Sequence, residues 1–203
     1  MQTYPTIPKI VRNDNIYAFD KLDGSNIRAE WVRKKGFVKF GTRRRLLDAN
    51  ERPLGEAVAL INDGYADALT DIFHKMRLQK ATAFFEFYGA RSFAGFHEEE
   101  EHKVTLIDVH LPKEGIMDPR DFLKWFGGKV DTAPLLYQGK PNQDFVKKVQ
   151  TGQLPGMTFE GVVCKGGRDK HGNLAMFKVK NQAWLDALKH KCGDDMKLYE
   201  ALA

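Results

Sequence analysis

The stretch Lys21-Leu22-Asp23-Gly24-Ser25-Asn26 decides how this sequence is interpreted. It directly follows residues 16–20, whose apolar and polar side chains alternate as they do in a strand. A lysine at a strand end, followed by a turn built around glycine, can present its amine into a cleft, where an activated amine attacks an electrophile. Asp-Gly is also a common hairpin turn, and a lysine beside such a turn is usually solvated. The hexapeptide thus suggests Lys21 as a candidate nucleophile, and the other segments of the chain must decide whether this interpretation holds.

The composition is that of an ordinary globular protein. The chain has 203 residues, of which 42% are hydrophobic and 29% charged, so we expect one domain spanning residues 1–203. Its net charge of +5 favours an anionic partner such as a nucleotide or nucleic acid. Two cysteines are too few for a disulfide framework, and no stretch approaches the length of a membrane span. We therefore expect a cytoplasmic protein without a membrane partner. We also expect a monomer.

Hydrophobic periodicity predicts a mixture of strands and helices. Strands are predicted over residues 16–21, 27–33, 36–42, 82–89, 103–110, 157–165 and 174–180. Helices are predicted over residues 52–78, with a break at 62–64, and over 119–126, 142–150 and 182–202. This order favours an α+β fold in which antiparallel sheets are flanked by helices.

Two glutamates stand at conspicuous places in the predicted strands. Glu86 lies among aromatic residues in the segment FEFYG, and Glu160 begins the apolar segment EGVVCK, which ends at Lys165. On an outward face such glutamates would be solvated and mean little, whereas a buried carboxylate needs a partner. The two glutamates are therefore candidates for a shared polar site.

Basic side chains complete this candidate site. Lys178 and Lys180, at i and i+2 of a strand, project from the same face, and two ammonium groups so close together need an anion such as phosphate. An arginine cluster, residues 43–45, ends another strand. Such a set suits nucleotidyl transfer, because lysines neutralise a phosphate while carboxylates hold a ribose hydroxyl and a divalent metal. The metal and the neighbouring lysines would also favour the neutral, nucleophilic form of Lys21.

Five segments resemble, in the family order, the motifs of the covalent nucleotidyltransferases, which include ATP-dependent nucleic-acid ligases and GTP-dependent mRNA capping enzymes. KLDG (21–24) is similar to motif I, FEFYG (85–89) to motif III and TLIDV (105–109) to motif IIIa. EGVVCK (160–165) is similar to motif IV and KVK (178–180) to motif V. The resemblance implies a nucleotidyltransferase domain, the ATP-grasp-like adenylation domain of ligases.

The resemblance also implies roles for individual residues. Lys21 would attack the α-phosphate of ATP, form lysyl-AMP and release pyrophosphate. Glu86 would bind the ribose, and Glu160 would help to hold Mg²⁺ or Mn²⁺ through its water shell. The phosphates would be contacted by Lys165, Lys178 and Lys180, and a further phosphate contact would come from Arg43. The adenine ring would lie between Ile107 and Val163, with Asp20 at the edge of the base.

Two features favour the RNA ligase branch of this family. Asn26 ends motif I, where the RNA ligases similar to phage T4 RNA ligase 2 have asparagine and typical DNA ligases and capping enzymes have arginine. The asparagine of those relatives serves the later strand-joining steps. Only 23 of the 203 residues follow Lys180, so we expect no OB-fold domain of the kind that DNA ligases and capping enzymes add. A compact ligase of this kind is typical of phages.

The resemblance thus implies an ATP-dependent RNA ligase that joins 3′-hydroxyl and 5′-phosphate ends through an adenylated 5′ end. Asp23 stands where the most similar RNA ligases have histidine, a small departure from their motif in the direction of DNA ligases. The alternatives are a minimal DNA ligase or RNA/DNA hybrid nick ligase, a GTP-dependent mRNA capping guanylyltransferase, and a nucleic-acid-binding domain without chemistry. RNA is the expected partner, and Arg33, Lys34, Lys35 and residues 43–45 could follow its backbone.

Overall fold

The computed structural model of the chain describes residues 1–9, 14–90, 100–169 and 171–203. The strands are β1 (Ile16–Asp20), β2 (Ser25–Val32), β3 (Gly36–Thr42), β4 (Lys80–Tyr88), β5 (Lys103–Leu111), β6 (Gly115–Ile116), β7 (Leu135–Gly139), β8 (Gly161–Arg168) and β9 (Leu174–Lys180). The helices are α1 (Glu56–Lys75), α2 (Pro119–Phe126), α3 (Gln143–Gln150), α4 (Gln182–Cys192) and α5 (Met196–Leu202). Within these ranges, every helix is too short or too polar to cross a bilayer.

The strands form two antiparallel sheets. The four-stranded sheet has the order β7-β1-β8-β9, and the five-stranded sheet has the order β3-β2-β4-β5-β6. The turn after β1 leads directly from the first sheet into β2 of the second, so the hexapeptide at residues 21–26 lies where the chain changes sheets. The predicted α+β class with antiparallel sheets flanked by helices is confirmed.

Each sheet is covered by helices on one face. Buried side chains of α1 and α2 pack on the five-stranded sheet, where Trp31 Nε1 donates to Thr70 Oγ1 at 3.0 Å and the Trp31 ring lies 5.1 Å from that of Phe73. Phe145 and Val149 of α3 pack on the four-stranded sheet. The amphipathic periodicity of the helices therefore builds two separate cores, one for each sheet.

A third apolar cluster joins the two sheets. It contains Tyr4 of the N-terminal segment, Phe84 of β4, Ile116 of β6 and Met176 of β9. Ile107 of β5 and Val163 of β8 pack against it while staying partly exposed. The facing sheets thus leave partly covered apolar surface on both sides of the gap between them.

Several predicted boundaries were wrong. The predicted helix break at residues 62–64 does not exist, since α1 runs unbroken through Gly64. Burial of Ile61 and Tyr65 on either side outweighs the cost of about 1 kcal/mol that a glycine brings to a helix. The strand predicted to begin at residue 157 begins at 161, and the predicted helix over 182–202 is divided between α4 and α5. The short strand β7, none of whose residues is buried, was not predicted.

Candidate active site

A cavity of about 650 Å³ lies between the two sheets, at the turn that follows β1. Ile107 contributes apolar surface from β5 and Val163 from β8. Eleven of the site residues predicted from the sequence line this cavity, namely Asp20, Lys21, Asn26, Arg43, Glu86, Ile107, Glu160, Val163, Lys165, Lys178 and Lys180. Arg33, Lys34 and Lys35, predicted to follow an RNA backbone, do not line it. The fold thus brings together side chains that lie up to 160 positions apart in the chain.

Two glycines let the backbone approach closely enough to build the cavity. A Cβ atom at Gly24 would lie 2.3 Å from the carbonyl oxygen of Phe87, so the turn that bears Lys21 passes directly against β4. Gly161 has a φ of +130°, and a Cβ there would lie 2.2 Å from the carbonyl oxygen of Val179. The backbone N–H of Lys21 donates to the Gly161 carbonyl at 2.9 Å, which places the start of β8 beside the lysine.

One carboxylate oxygen binds two lysines at the centre of the site. Glu160 Oε1 accepts from Lys21 Nζ at 2.7 Å and from Lys180 Nζ at 2.6 Å. Burial lowers the pKa of Lys21, but Glu160 and Glu86 outweigh burial, so that its pKa is raised above the ordinary value. Within the protein alone, the carboxylates around Lys21 have the larger influence. The expected shift toward the neutral amine, by a bound metal together with the neighbouring lysines, stays a prediction.

Lys178 and Lys180 of β9 bring two positively charged side chains to the cavity lining. Burial lowers the pKa of Lys180 to about 8, with Glu160 opposing and Lys21 and Lys178 adding to the shift. Burial also lowers the pKa of Lys178, as do the charges of Lys21 and Lys9. Both ammonium groups line the cavity, as the i, i+2 spacing predicts, and an anion between them would relieve their repulsion.

Glu86 contributes a carboxyl group with a raised pKa to the cavity. Burial raises the pKa of Glu86 to about 8, opposed by Lys21 and reinforced by Glu160 and Asp23. Among the described residues, no three His, Cys, Asp or Glu side chains form a metal-binding group. Mg²⁺ commonly binds one or two carboxylates and fills its remaining positions with water and substrate phosphates. The buried Glu160 carboxylate and the raised pKa of Glu86 fit such a partly protein-bound cation.

Lys165 lies in a buried network that the sequence did not predict. Its Nζ donates to Asp108 Oδ2 and to the Ile107 carbonyl, both at 2.8 Å, and lies 4.6 Å from the centre of the Phe19 ring. Tyr4 donates to the same Asp108 oxygen at 2.5 Å. The network links β8 to β5 and to the N-terminal segment. The ammonium of Lys165 therefore already has protein acceptors, and its contact with a nucleotide stays a prediction.

We expect this network to matter strongly for stability. Asp108→Ala should lower the free energy of unfolding by about 3–5 kcal/mol, because it leaves the Lys165 ammonium buried without its counter-ion. Tyr4→Phe should cost only about 1 kcal/mol, since it removes one hydrogen bond. Urea unfolding of the variants measures both values. Asp144→Ala, which breaks the exposed pair with Lys148, is the control and should cost below about 0.5 kcal/mol; equal losses in all three would contradict the prediction.

The arginine cluster has two different environments. Arg45 forms a double hydrogen bond with Glu51, which fixes the loop between β3 and α1. Arg43 and Arg44 are exposed at the cavity mouth, and neither side chain has an ion-pair partner among the described residues. Two of the three guanidinium groups are thus available for an anion.

Asn26 and Asp20 flank the nucleophile candidate on either side. Asn26 Oδ1 is buried and accepts no hydrogen bond from the described part of the protein, although the residue lines the cavity. Asp20 Oδ1 accepts from the backbone N–H of Thr158 at 3.0 Å and so holds the segment that leads to Glu160. Reading of a base edge by Asp20 stays a prediction.

Sequence analysis missed several other residues that line the cavity, among them Tyr4, Leu54, Trp184 and Leu202. The Trp184 ring lies 3.6 Å from Lys180 Nζ, and the Leu202 carbonyl accepts from the same ammonium at 3.0 Å. The only local signal for any of them is an aromatic residue four positions after Lys180, in the first turn of α4. Tyr4, Leu54 and Leu202 have no recognisable pattern, because the tertiary fold alone places them here.

Comparisons with known proteins agree with this architecture. Residues 14–180 match the family described as RNA ligase, whereas a search of curated proteins gave no significant match. A variant of the Naegleria gruberi RNA ligase with ATP and Mn is 16% identical with a TM-score of 0.61, covering 88% of this chain and 52% of that one. Its variant with AMP and Mn is 16% identical with a TM-score of 0.63, covering 90% and 59%. An apo variant is 16% identical with a TM-score of 0.64, covering 92% and 59%.

The solved structures are longer than this chain and distant from it in sequence. The chain spans between about half and three-fifths of the length of the solved structures that it resembles. At 16% identity, the likeness establishes a shared fold. The family match covers more than three-quarters of the chain and includes all five motif-like segments.

Proposed function

Because the chain belongs to the RNA ligase family, we propose that it is an ATP-dependent ligase that joins RNA ends by way of a lysyl-AMP intermediate. The observation that carries this proposal is the pair of lysines, Lys21 and Lys180, on one oxygen of Glu160 at the wall of the cavity. This arrangement supports the proposal, because one amine would attack the phosphate while the other would neutralise its developing charge.

The first step would be adenylation of the protein. Lys21 must lose a proton, and Glu160 Oε1, 2.7 Å away, is the acceptor already in contact with its amine. The neutral amine then forms a bond with the α-phosphorus of ATP, while the bond from this phosphorus to the bridging oxygen of pyrophosphate breaks. Lys178 and Lys180 offset the negative charge that develops. A bound Mg²⁺ or Mn²⁺ held through Glu160 would neutralise phosphate charge further.

The nucleotide would lie between the sheets. Ile107 and Val163 offer apolar surface from the two sides of the gap, which suits the faces of a purine ring. Glu86, with its pKa raised to about 8, holds a proton at neutral pH and can therefore both donate to and accept from a ribose hydroxyl.

The next two steps would transfer AMP to RNA and join the ends. An oxygen of a 5′-phosphate attacks the phosphorus of lysyl-AMP and releases the amine of Lys21. A 3′-hydroxyl then attacks the 5′-phosphorus, forms the phosphodiester and releases AMP. Arg43 and Arg44, exposed at the mouth, are suited to hold the 5′-phosphate strand.

Sealing assays test the substrate side of the proposal. We expect the protein to seal a nick between RNA strands faster than the matched DNA or hybrid nick. Asn26→Ala should leave covalent labelling with ATP within about threefold of wild type and slow sealing by about 10²-fold, since the amide lines the cavity without a protein donor to its oxygen. Loss of labelling would contradict this role for Asn26. Faster sealing of DNA nicks would favour the DNA ligase alternative.

The arginines at the mouth give a separate prediction about salt. Each phosphate contact contributes about 0.7–0.9 to the slope of log K against log salt concentration. Removing both Arg43 and Arg44 by alanine substitution should reduce this slope by about 1–2 for a nicked RNA duplex, measured by fluorescence anisotropy. Arg45→Ala is the matched control and should change the slope less, because Glu51 already neutralises this arginine. Equal changes in slope would mean that all three arginines contact the strand.

A further inference from the structure

The ammonium of Lys180 is held from three directions by groups from different parts of the chain. Glu160 Oε1 accepts from it at 2.6 Å, the Leu202 carbonyl accepts at 3.0 Å, and the centre of the Trp184 ring lies 3.6 Å away. We propose that Trp184 is a positioning residue for Lys180 in the adenylation step, an inference that rests on the proposed function. The ring would fix where the ammonium stands when the phosphate arrives.

One of the two oxygen acceptors of this lysine is shared. Glu160 Oε1 also binds Lys21, so its negative charge is divided between two ammonium groups. A lysine has a long flexible side chain, and ordering it costs conformational entropy. The face of an indole attracts the ammonium through its quadrupole and bears no charge that would repel a phosphate. It can therefore hold Lys180 before and after the nucleotide binds.

Trp184 is itself rigidly placed. It is 3% exposed and lies in the first turn of α4, where Asn181 caps the helix by accepting from the Ala183 N–H at 2.8 Å. Its ring packs in a cluster with Phe159, Leu188 and other buried side chains. Phe159 immediately precedes Glu160, and Asn181 immediately follows Lys180. One apolar cluster thus supports both members of the Lys180–Glu160 pair.

The choice of tryptophan at this position is not explained by packing alone. Its Nε1 is buried and has no hydrogen-bond partner among the described residues. Leaving a buried donor unpaired costs free energy, and buried indole N–H groups usually find a partner. Phenylalanine, also aromatic and apolar, has no N–H group that would be left without a partner. Among the aromatic residues, tryptophan offers the most favourable ring face to an ammonium group such as that of Lys180.

The test is a double-mutant cycle between Trp184 and Lys180. We would measure single-turnover labelling by α-labelled ATP at saturating nucleotide for wild type, Trp184→Leu, Lys180→Met and the double variant. Trp184→Leu should slow labelling by about 30-fold, the effect of a desolvated cation–π contact, and Trp184→Phe by less than about tenfold. In the Lys180→Met background, Trp184→Leu should have almost no further effect. Trp125→Leu is the matched control, since Lys129 lies 5.7 Å from that ring, outside the cavity residues.

The outcomes separate this inference from the proposed function. If Trp184→Leu labels as fast as wild type, or slows the Lys180→Met protein as much as it slows wild type, Trp184 has at most a packing role and the inference is wrong. If wild type is not labelled, the proposed function fails. The same double-mutant cycle is then measured with ATP affinity, determined by calorimetry, in place of the labelling rate. There Trp184→Leu should weaken binding by about threefold only when Lys180 is present; additive losses would overturn the inference.

Discussion

Replacing Lys21 by arginine should abolish covalent labelling of the protein by α-labelled ATP, a loss of at least about 10⁴-fold. Arginine keeps the positive charge opposite Glu160, so the ion pair at 2.7 Å and the fold should survive. It stays protonated at every accessible pH and cannot act as a nucleophile. Lys21→Ala should be equally inactive. The measurement is label retained on the denatured protein after incubation with Mg²⁺ or Mn²⁺.

Lys75→Ala, an exposed lysine of α1, is the control and should label as wild type does. Labelling that persists in both Lys21 variants would place the nucleophile elsewhere. Wild type that remains unlabelled over a range of metals and pH values would contradict the enzyme proposal as a whole. Labelling by GTP and not by ATP would favour the capping guanylyltransferase alternative.

Replacing Glu160 by glutamine should slow labelling by about 10²–10³-fold. Two opposite effects operate here. Loss of the carboxylate charge removes the interaction that raises the pKa of Lys21 and so favours its neutral form. The same loss removes the proton acceptor of Lys21 and the carboxylate that fits a divalent cation, while two buried ammonium groups lose their common counter-ion. We expect the second group of effects to dominate, because it combines the loss of a proton acceptor, of a metal-binding group and of the counter-ion that orders both lysines.

A titration of the metal distinguishes these effects. If the carboxylate helps to hold the cation, Glu160→Gln should need a higher Mn²⁺ concentration for half-maximal labelling. Glu51→Gln, which affects only the exposed pair with Arg45, should leave the titration unchanged. Faster labelling in Glu160→Gln would mean that this glutamate chiefly restrains the nucleophile. Thermal unfolding of both variants shows whether the loss of rate follows a loss of stability.

Local sequence patterns were sufficient for much of the site. Alternation along a strand places Lys178 and Lys180 on one face whatever surrounds them, and both line the cavity. The glycine of the Lys21 turn permits the close approach to β4 that brings the lysine near Glu86. The shared face of the two lysines depends only on neighbours in the chain and was predicted, whereas the approach of the turn to β4 is a tertiary contact.

Features that depend on distant contacts could not be predicted. Asp108 is 57 positions before Lys165 and 104 after Tyr4, and nothing local indicates that it binds both. The pKa of Lys21 is another case, because its direction depends on how many carboxylates the fold gathers around one amine. The unbroken α1 shows the same limit, since burial on the sheet outweighs the propensity of Gly64.

The gap between the sheets has a thermodynamic consequence. Ile107 belongs to one sheet and Val163 to the other, so a ligand that fills the space between them contacts both halves of the molecule at once. Binding to the folded chain alone shifts the folding equilibrium, by about 2.7 kcal/mol when the ligand is present at one hundred times its dissociation constant. Under the proposed function, docking of the two sheets and binding of the nucleotide are therefore linked, so that a condition that weakens the packing of the sheets would also weaken nucleotide binding.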